Sequence, residues 1–409
     1  MLRMQVFVFI GLFRSMASAQ DCGAIDYITP QFTVEVEYDV LYGTAERFDG
    51  GTDSLRMNIH WPVGDGVNER PLLIAVHGGA FISGDRSDMD ELCDRYAARG
   101  YVAATVSYRL GFHPPAGLPT PYAYDEAEVL RASYRAQQDV KGAIRFLRGR
   151  HDLDQSSAEN VFVYGVSAGG ITGMHVSYAT AEEERPASSF ALPAVGQFQR
   201  NDLGAIAGAL HVGEHGAEVK ACVSHLGALL DTALVGSSED PALFTYHQTG
   251  DPIVGCGHQQ ALWGAPLGIG ANYPWLFGSC AIDLRMHNLG FTAERYEFHP
   301  HTGTAHDIHD VWSVDGLAAV FLARQFCAPD TRVADAVSGS FSTILQEEGS
   351  LRVLSIEPVV ELLLMDGHGR SVSMAKGPLL TVRGLSTGVY MLGVRTPGAY
   401  AVHRVLITP

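Results

Sequence analysis

The chain has 409 residues, 46% of them apolar and 18% charged, a balance that supports a packed globular body and excludes a disordered one. Its formal net charge of −17 argues against a nucleic-acid partner, because phosphate binding needs a basic surface. The length allows one large core and a smaller module.

The first stretch, MLRMQVFVFIGLFRSMASAQ, places Arg3 ahead of an apolar run from Val6 to Phe13 and a small-residue site at Ala17, Ser18 and Ala19. The run is too short to span a bilayer, so residues 1–19 read as a secretory signal peptide rather than a buried N-terminal strand or helix. Six cysteines follow: Cys22, Cys93, Cys222, Cys256, Cys280 and Cys327. An even set in an exported chain suggests disulfides, and Cys256 with Cys280 is the favoured pair because both lie in glycine-rich loop sequence. No Cys/His spacing suggests zinc.

Phe32 to Val40 and Leu55 to Trp61 alternate apolar with polar residues, which predicts two half-buried antiparallel strands joined by GTAERFDGGTD. The runs PLLIAVHGG, YVAATVSYR, NVFVYG, KACVSHLG, PALFTYHQTG and AERYEFHP are short, apolar and end in small or polar residues, as strands covered on both faces do. Helices are expected over Asp88 to Arg99, over RAQQDVKGAIRFLRGR with Ala136, Val140, Ala143, Ile144 and Leu147 on one face, and directly after Ser167. The alternation implies a mainly parallel sheet with helices on both faces and a site at the carboxyl ends of its strands.

Two long segments interrupt this rhythm, Gly111 to Leu130 and about Glu182 to Gly216; each reads either as a lid or substrate wall or as a passive surface loop. From about Thr331 the runs LRVLSI, VVELLLMD, LLTVRGL, VYMLGV and AVHRVLIT, separated by turns, predict a small all-β sandwich. The expected organisation is a signal peptide over 1–19, a catalytic α/β domain over 20–329 and a β-sandwich domain over 335–409.

The stretch VFVYGVSAGG puts Ser167 inside G-x-S-x-G, with a strand before it and a helix after it. A serine hydroxyl becomes a useful nucleophile only when a base takes its proton, and a helix start aims free N–H groups at developing negative charge. The bland alternative is a glycine-rich strand-to-helix turn. Upstream, VHGGAFISGD offers backbone N–H groups of Gly79 and Ala80, with Gly78, as an oxyanion site to which Ala168 adds another donor; His77 reads as a residue that orients this loop.

For the acid, Asp251 in HQTGDPIV is preferred to Asp231 and Asp240 because Gly250 and Pro252 fix a turn around it. For the base, HPHTGTAHDIHD offers His299, His301, His306 and His309; His306 is preferred because it follows the TGTA loop and precedes a helix, with His301 and His309 as its rivals. The competing reading of this stretch is a metal cluster that includes Asp307 and Asp310. The chain order Ser167, Asp251, His306 is that expected of an α/β-hydrolase, and its chemistry requires no metal or organic cofactor.

The segments HGGAFISGDRSD, CDRYAARGYVAATVSYRLG, RASYRAQQDVKGAIRFLR and VFVYGVSAGG together resemble the serine carboxylesterases of the α/β-hydrolase superfamily, near the hormone-sensitive-lipase and feruloyl/acetyl-esterase-like branches. The resemblance runs from roughly Asp53 to Gly173 and returns at HQTGDPIV; it implies ester hydrolysis by a Ser-His-Asp triad and scaffold roles for Tyr108, Arg109 and Asp139. Ala80 departs from it, standing where many relatives carry a third glycine. The tail segments VVELLLMDGHGRSV and LSTGVYMLGVRTPGAYAVHRVLI resemble the C-terminal sorting domain of the type IX secretion system, through Leu385, Gly388, Tyr390 and the last basic-apolar strand, where His403 and Arg404 replace the usual lysine. This implies export machinery as a partner and a location outside the cell. The expected function is a secreted carboxylic-ester hydrolase acting on a small or polymeric ester. A peptidase of prolyl-oligopeptidase type and a non-catalytic binding protein on the same fold are the alternatives.

Overall fold

The computed structural model describes residues 22, 25–64, 66–213, 215–327, 343–347, 350–354, 359–366, 371–386, 388–395 and 400–407; the signal-peptide reading lies outside them. The chain opens with β1 (Thr33–Glu46) and β2 (Thr52–Val63), an antiparallel hairpin. Most of the predicted loop between them is strand, leaving residues 47–51 as the turn. Then come β3 (Arg70–Val76), α1 (Asp90–Ala98), β4 (Val102–Val106), α2 (Glu126–Arg148), the one-turn α3 (His151–Asp154), β5 (Ser156–Val166) and α4 (Ala168–Tyr178). After the short β6 (Leu192–Val195) and β7 (Phe198–Arg200) follow β8 (Ala221–His225), β9 (Ala228–Leu229), β10 (Ala242–Gln248), β11 (His258–Gln260), β12 (Trp275–Gly278), α5 (Ser279–Asn288), β13 (Tyr296–His301) and α6 (Val311–Arg324).

Eight strands form one sheet in the order β1-β2-β4-β3-β5-β8-β10-β13. It is parallel from β4 onward, and β2 joins β4 antiparallel. The buried runs explain its two covers. Along β3, Leu72, Ile74 and Val76 pack with Ala136, Val140, Ala143, Ile144 and Leu147 of α2, the predicted face. Leu73 and Ala75 point the other way, into a core shared with Tyr96 of α1 and Leu317 and Phe321 of α6. The edge strand β1 is broken by bulges between Glu37 and Val40 and between Leu41 and Gly43, irregularities that discourage edge-to-edge pairing.

Helix boundaries follow the caps. Residues 86–89 form a 3-10 turn capped by Asp85, so α1 starts at Asp90 rather than Asp88. Asp125 accepts from Glu128 N–H at 3.0 Å, so α2 starts at Glu126 and absorbs the last five residues of the first predicted insertion. The second insertion is not a wall of the pocket described below. It lies along α2, whose buried cationic and amide side chains bind its carbonyls: Arg131 to Ser188 and Phe190, Gln138 to Leu203 and Ala205, Arg145 to Ala207 and Leu210.

Two disulfides are present. Cys256–Cys280 is the pair expected, and Cys22–Cys327 joins the first described residue to the end of α6. Cys93 and Cys222 are buried and free, so the even count does not mean full pairing. At the C-terminus, β14 (Thr343–Glu347), β15 (Ser350–Leu354), β16 (Glu361–Met365), β17 (Ser371–Lys376), β18 (Leu379–Thr381), β19 (Gly388–Arg395) and β20 (Tyr400–Ile407) make antiparallel sheets ordered β14-β15-β18 and β17-β16-β19-β20. Leu351, Val353 and Leu380 of the first share a core with Leu362, Leu364, Leu392 and Val394 of the second.

Candidate active site

The loops that leave the carboxyl ends of β3, β5, β10 and β13 carry Gly78 to Ala80, Ser167, Asp251 and His306 respectively. Ser167 sits between β5 and α4 with φ 57° and ψ −120°, a conformation that a non-glycine residue keeps only where its surroundings impose it. Its N–H donates to His225 O at 2.8 Å, which ties the bend to the end of β8. The flanking glycines are steric requirements. A Cβ at Gly165 would lie 2.1 Å from Gly169 O, and one at Gly169 would lie 2.0 Å from Val76 O.

His306 bridges the other two side chains. Its Nδ1 is 2.7 Å from Asp251 Oδ2 and its Nε2 is 2.8 Å from Ser167 Oγ. An ionised carboxylate only accepts, so Nδ1 carries the proton and Nε2 presents its lone pair to the serine hydroxyl. Asp251 is fully buried, yet Oδ1 accepts from Ile253 N–H at 2.8 Å and Val254 N–H at 3.1 Å. Burial pushes this carboxyl up, but hydrogen bonds from His247, His306 and the Ile253 N–H outweigh it and hold the group at about 2.

The β3 loop comes close enough to the serine that a Cβ at Gly78 would lie 3.3 Å from Ser167 Cβ. Gly79, at φ 109°, has no room for a side chain: its Cβ would sit 2.0 Å from Ser83 O. Ala80 and Phe81 follow at φ 53° and 62°. Among the described residues, the N–H groups of Gly79 and Ala80 have no acceptor. Ala168 is the first residue of α4, so its N–H has no intrahelical partner either. His77 orients this loop as expected. Its Nδ1–H donates to Gly78 O at 2.7 Å, its ring stacks on Tyr108 at 4.4 Å, and the Tyr108 hydroxyl donates to His77 O at 2.9 Å. Burial lowers its affinity for a second proton, despite that bond to Gly78 O. Arg109 and Asp139 pair at 2.8 Å behind the loop.

The rival residues are engaged elsewhere. His301 and His309 stack on each other at 3.7 Å, and His309 Nδ1 accepts from the Tyr246 hydroxyl at 2.9 Å. His299 donates to Glu297 at 2.9 Å. Asp231 caps the 3-10 turn at residues 232–234, Asp240 accepts from Gly236 and Ser237 N–H, Asp307 accepts from the Gln248 amide, and Asp310 caps α6.

Sequence reasoning missed the acid's supports. His247 lies 3.4 Å from Asp251 Oδ2, donates from Nε2 to Val254 O at 2.7 Å and accepts at Nδ1 from Ser279 Oγ at 3.0 Å. The Trp263 indole N–H donates to Asp251 O at 2.8 Å. The spacing of His247 four residues before Asp251 was the one available signal.

Beside Ser167 lies a pocket of about 40 Å³, walled by Phe81, Val129, Leu130, Ile171, Leu230, Ile253, Val254, Leu262 and Leu276 among others. Its lining includes Ala80 and Ala168 but not His306, whose side chain is 20% exposed on the solvent side.

Residues 73–206 match a family model described as alpha/beta hydrolase fold, and with the strand order above this gives the chain the α/β-hydrolase fold. Among solved structures the chain is similar to Thermogutta terrifontis esterase 2 phosphorylated by paraoxon, at 18% identity over 72% of this chain and 96% of that one, with a TM-score of 0.45. It is similar to the propionate-bound thermophilic esterase of the same Planctomycetes species, at 18% identity over 72% and 96%, TM-score 0.43. It is also similar to a truncated carbohydrate esterase from gut microbiota, at 15% identity over 72% and 97%, TM-score 0.42.

Proposed function

We propose that this chain is a carboxylic-ester hydrolase working through an acyl-enzyme on Ser167. The observation that carries the reading is the unbroken series from Ser167 Oγ to His306 at 2.8 Å and from His306 to Asp251 at 2.7 Å, opening on an apolar pocket. As Ser167 Oγ bonds to the acyl carbon, its proton passes to His306 Nε2, and Asp251 stabilises the imidazolium. The carbonyl oxygen takes the negative charge beside the N–H groups of Gly79, Ala80 and Ala168, with Gly78 giving the backbone its close approach; one such donor is commonly worth about 10²–10³ in rate. The bond to the alcohol breaks as His306 returns the proton to the alcohol oxygen. Water then loses a proton to the same nitrogen and attacks the acyl carbon; the bond from that carbon to Ser167 Oγ breaks as His306 returns the proton to Oγ, releasing the acid and restoring the serine hydroxyl.

The alcohol must leave next to His306, which the pocket lining does not include, so the pocket holds the acyl part. The pocket is a small recess with walls that are apolar almost throughout, which suits a short, uncharged acyl chain. Short acyl chains on alcohols of any size are therefore the expected substrates. Purified protein should hydrolyse p-nitrophenyl acetate and butyrate and be labelled by a fluorophosphonate. Ser167→Ala should lose labelling and at least about 10⁴-fold in kcat; undiminished turnover in the variant overturns the reading.

We propose further that residues 1–19 direct export, that 20–329 form the catalytic domain, and that 335–409 serve as a type IX sorting domain. Two disulfides support an oxidising destination. In a host with that machinery the full chain should reach the cell surface or medium, and a chain lacking 335–409 should stay in the periplasm. Equal release of both would remove the sorting role.

A further inference from the structure

The pocket beside Ser167 has one polar feature that the proposed chemistry leaves unused. Ser133 lies on α2, one turn after Val129, and lines the pocket with it. Ser133 is only 7% exposed. Its hydroxyl has no hydrogen-bond partner among the described residues. Other helical hydroxyls here behave differently: Thr172 and Ser177 of α4 turn back onto the carbonyls of Ala168 and Gly173, each at 2.8 Å, which is where a helical hydroxyl ordinarily rests. Tyr273, also in the pocket wall, donates to Pro121 O at 2.8 Å. Ser133 therefore offers the otherwise apolar pocket a hydroxyl that no protein group occupies and that is accessible only from the pocket, so a plain hydrocarbon tail filling the pocket would strip it of water without replacing the hydrogen bond, whereas a tail that brings its own polar atom would replace it.

We propose that Ser133 is a specificity-determining residue that hydrogen-bonds an oxygen on the acyl tail, which makes short hydroxyacyl esters the substrate class. The inference rests on the ester-hydrolase reading above. The partner atom is neutral, because the pocket lining contains no Lys, Arg or His to balance a second carboxylate. A short tail bearing one oxygen sets its carbons against the apolar walls and its oxygen toward Ser133. A hydroxyl suits Ser133 best, since each group can donate to or accept from the other. A site built around such a bond discriminates against the analogue that lacks it, because its own polar group is then left unpaired.

The test compares ethyl butyrate with ethyl 3-hydroxybutyrate, each enantiomer separately, on the full chain and on Ser133→Ala and Ser133→Thr. The ratio of kcat/KM for the two esters within each protein removes any general loss of activity, and comparing that ratio between proteins cancels the esters' intrinsic reactivities. Wild type should prefer one hydroxy enantiomer. In Ser133→Ala that ratio should fall about tenfold, the hydroxy ester losing rate and butyrate gaining it. Ser133→Thr, which keeps the hydroxyl, should hold the ratio within about threefold of wild type. An unchanged ratio in Ser133→Ala overturns the assignment while leaving the ester-hydrolase reading intact. If wild type turns over neither ester and Ser167 takes no fluorophosphonate, that reading fails and the inference falls with it.

Discussion

Asp251 shows how one side chain is made to serve another. Its Oδ1 is taken by two backbone N–H groups, which leaves Oδ2 for His306 and the more distant His247. Replacing it with asparagine keeps the shape and reverses the logic. An amide N–H facing His306 Nδ1 forces the ring into its other tautomer, with Nε2–H pointed at Ser167 and no lone pair to take the proton. Asp251→Asn should therefore lower kcat by about 10⁴ with little change in KM, measured on p-nitrophenyl butyrate at neutral pH. The same carboxylate should leave a mark on stability. Its folded value of about 2 lies below the ordinary 3.8, so its contribution is complete above pH 3.8 and is lost as pH falls through about 2. Denaturant unfolding should show the stability difference between wild type and Asp251→Asn shrinking across that window; a difference that is flat or grows toward pH 2 would contradict the hydrogen-bonding account. Ser167, Asp251 and His306 were legible in the sequence because turn glycines and strand ends announce them. Ser133 was not, because a serine inside an amphipathic helix carries no signal until the helix is docked, and His247 was hidden within a fully buried strand.

Elements were legible to the extent that they are regular. The apolar runs of β3, β4, β5, β8, β10 and β13 declare a sheet covered on both faces, and the predicted apolar face of α2 is the buried one. What periodicity could not show is that the opposite face of α2 is buried as well. Arg131, Arg135, Gln137, Gln138, Lys141 and Arg145 are all buried there, and on the helical pattern they read as a solvated stripe. Arg131, Gln138, Lys141 and Arg145 bind the irregular segment from about 182 to 216, which has too little secondary structure to satisfy its own carbonyls, whereas Arg135 binds Gly111 O and Gln137 binds the end of α4 and Ala179 O just beyond it. Arginine suits this task, since each guanidinium offers several donors and reaches more than one carbonyl, as Arg131 and Arg145 do. The sequence carries far more arginine than lysine, and this helix, with Arg131, Arg135, Arg145 and Arg148, accounts for part of that excess. Lys141 donates to Ala179 O at 2.7 Å, and burial lowers its ammonium to about 8. The two insertions thus divide in function. The first runs into α2 and braces the pocket wall through Tyr273 and Asn272, and the second packs the far side of the helix that carries Ser133.

At the scale of the whole molecule, the site and the covalent closure of the chain lie at opposite edges of the sheet. The loops of the candidate site leave the carboxyl ends of parallel strands. A helix packed on such a sheet runs antiparallel to its strands, so the end of α6 returns to the amino edge. Cys327, just past that end, is bonded there to Cys22 across a separation of 305 residues. Tyr27 packs edge-on against Phe326 at 5.0 Å beside the bond, within the core that contains Tyr101, Phe162 and Phe321. A cross-link over so long a loop removes much of the unfolded chain's freedom, about 6 kcal/mol as an upper bound from chain entropy and nearer 2–4 kcal/mol in typical measurements. The double substitution Cys22→Ser, Cys327→Ser should therefore lower unfolding free energy by about 2–4 kcal/mol, read from denaturant titration under non-reducing conditions. Because the bond is remote from Ser167, kcat/KM for a short p-nitrophenyl ester should stay within about twofold of wild type at temperatures where both proteins are folded. Cys256–Cys280 differs: it follows directly on Ser279, which hydrogen-bonds His247, and Cys280 N–H donates to Cys256 O in the loop that carries Asp251. A loss of kcat/KM in the Cys22/Cys327 variant as large as its loss of stability would mean that the two edges are not independent, and that the sheet transmits strain from its closure to the loops of the candidate site.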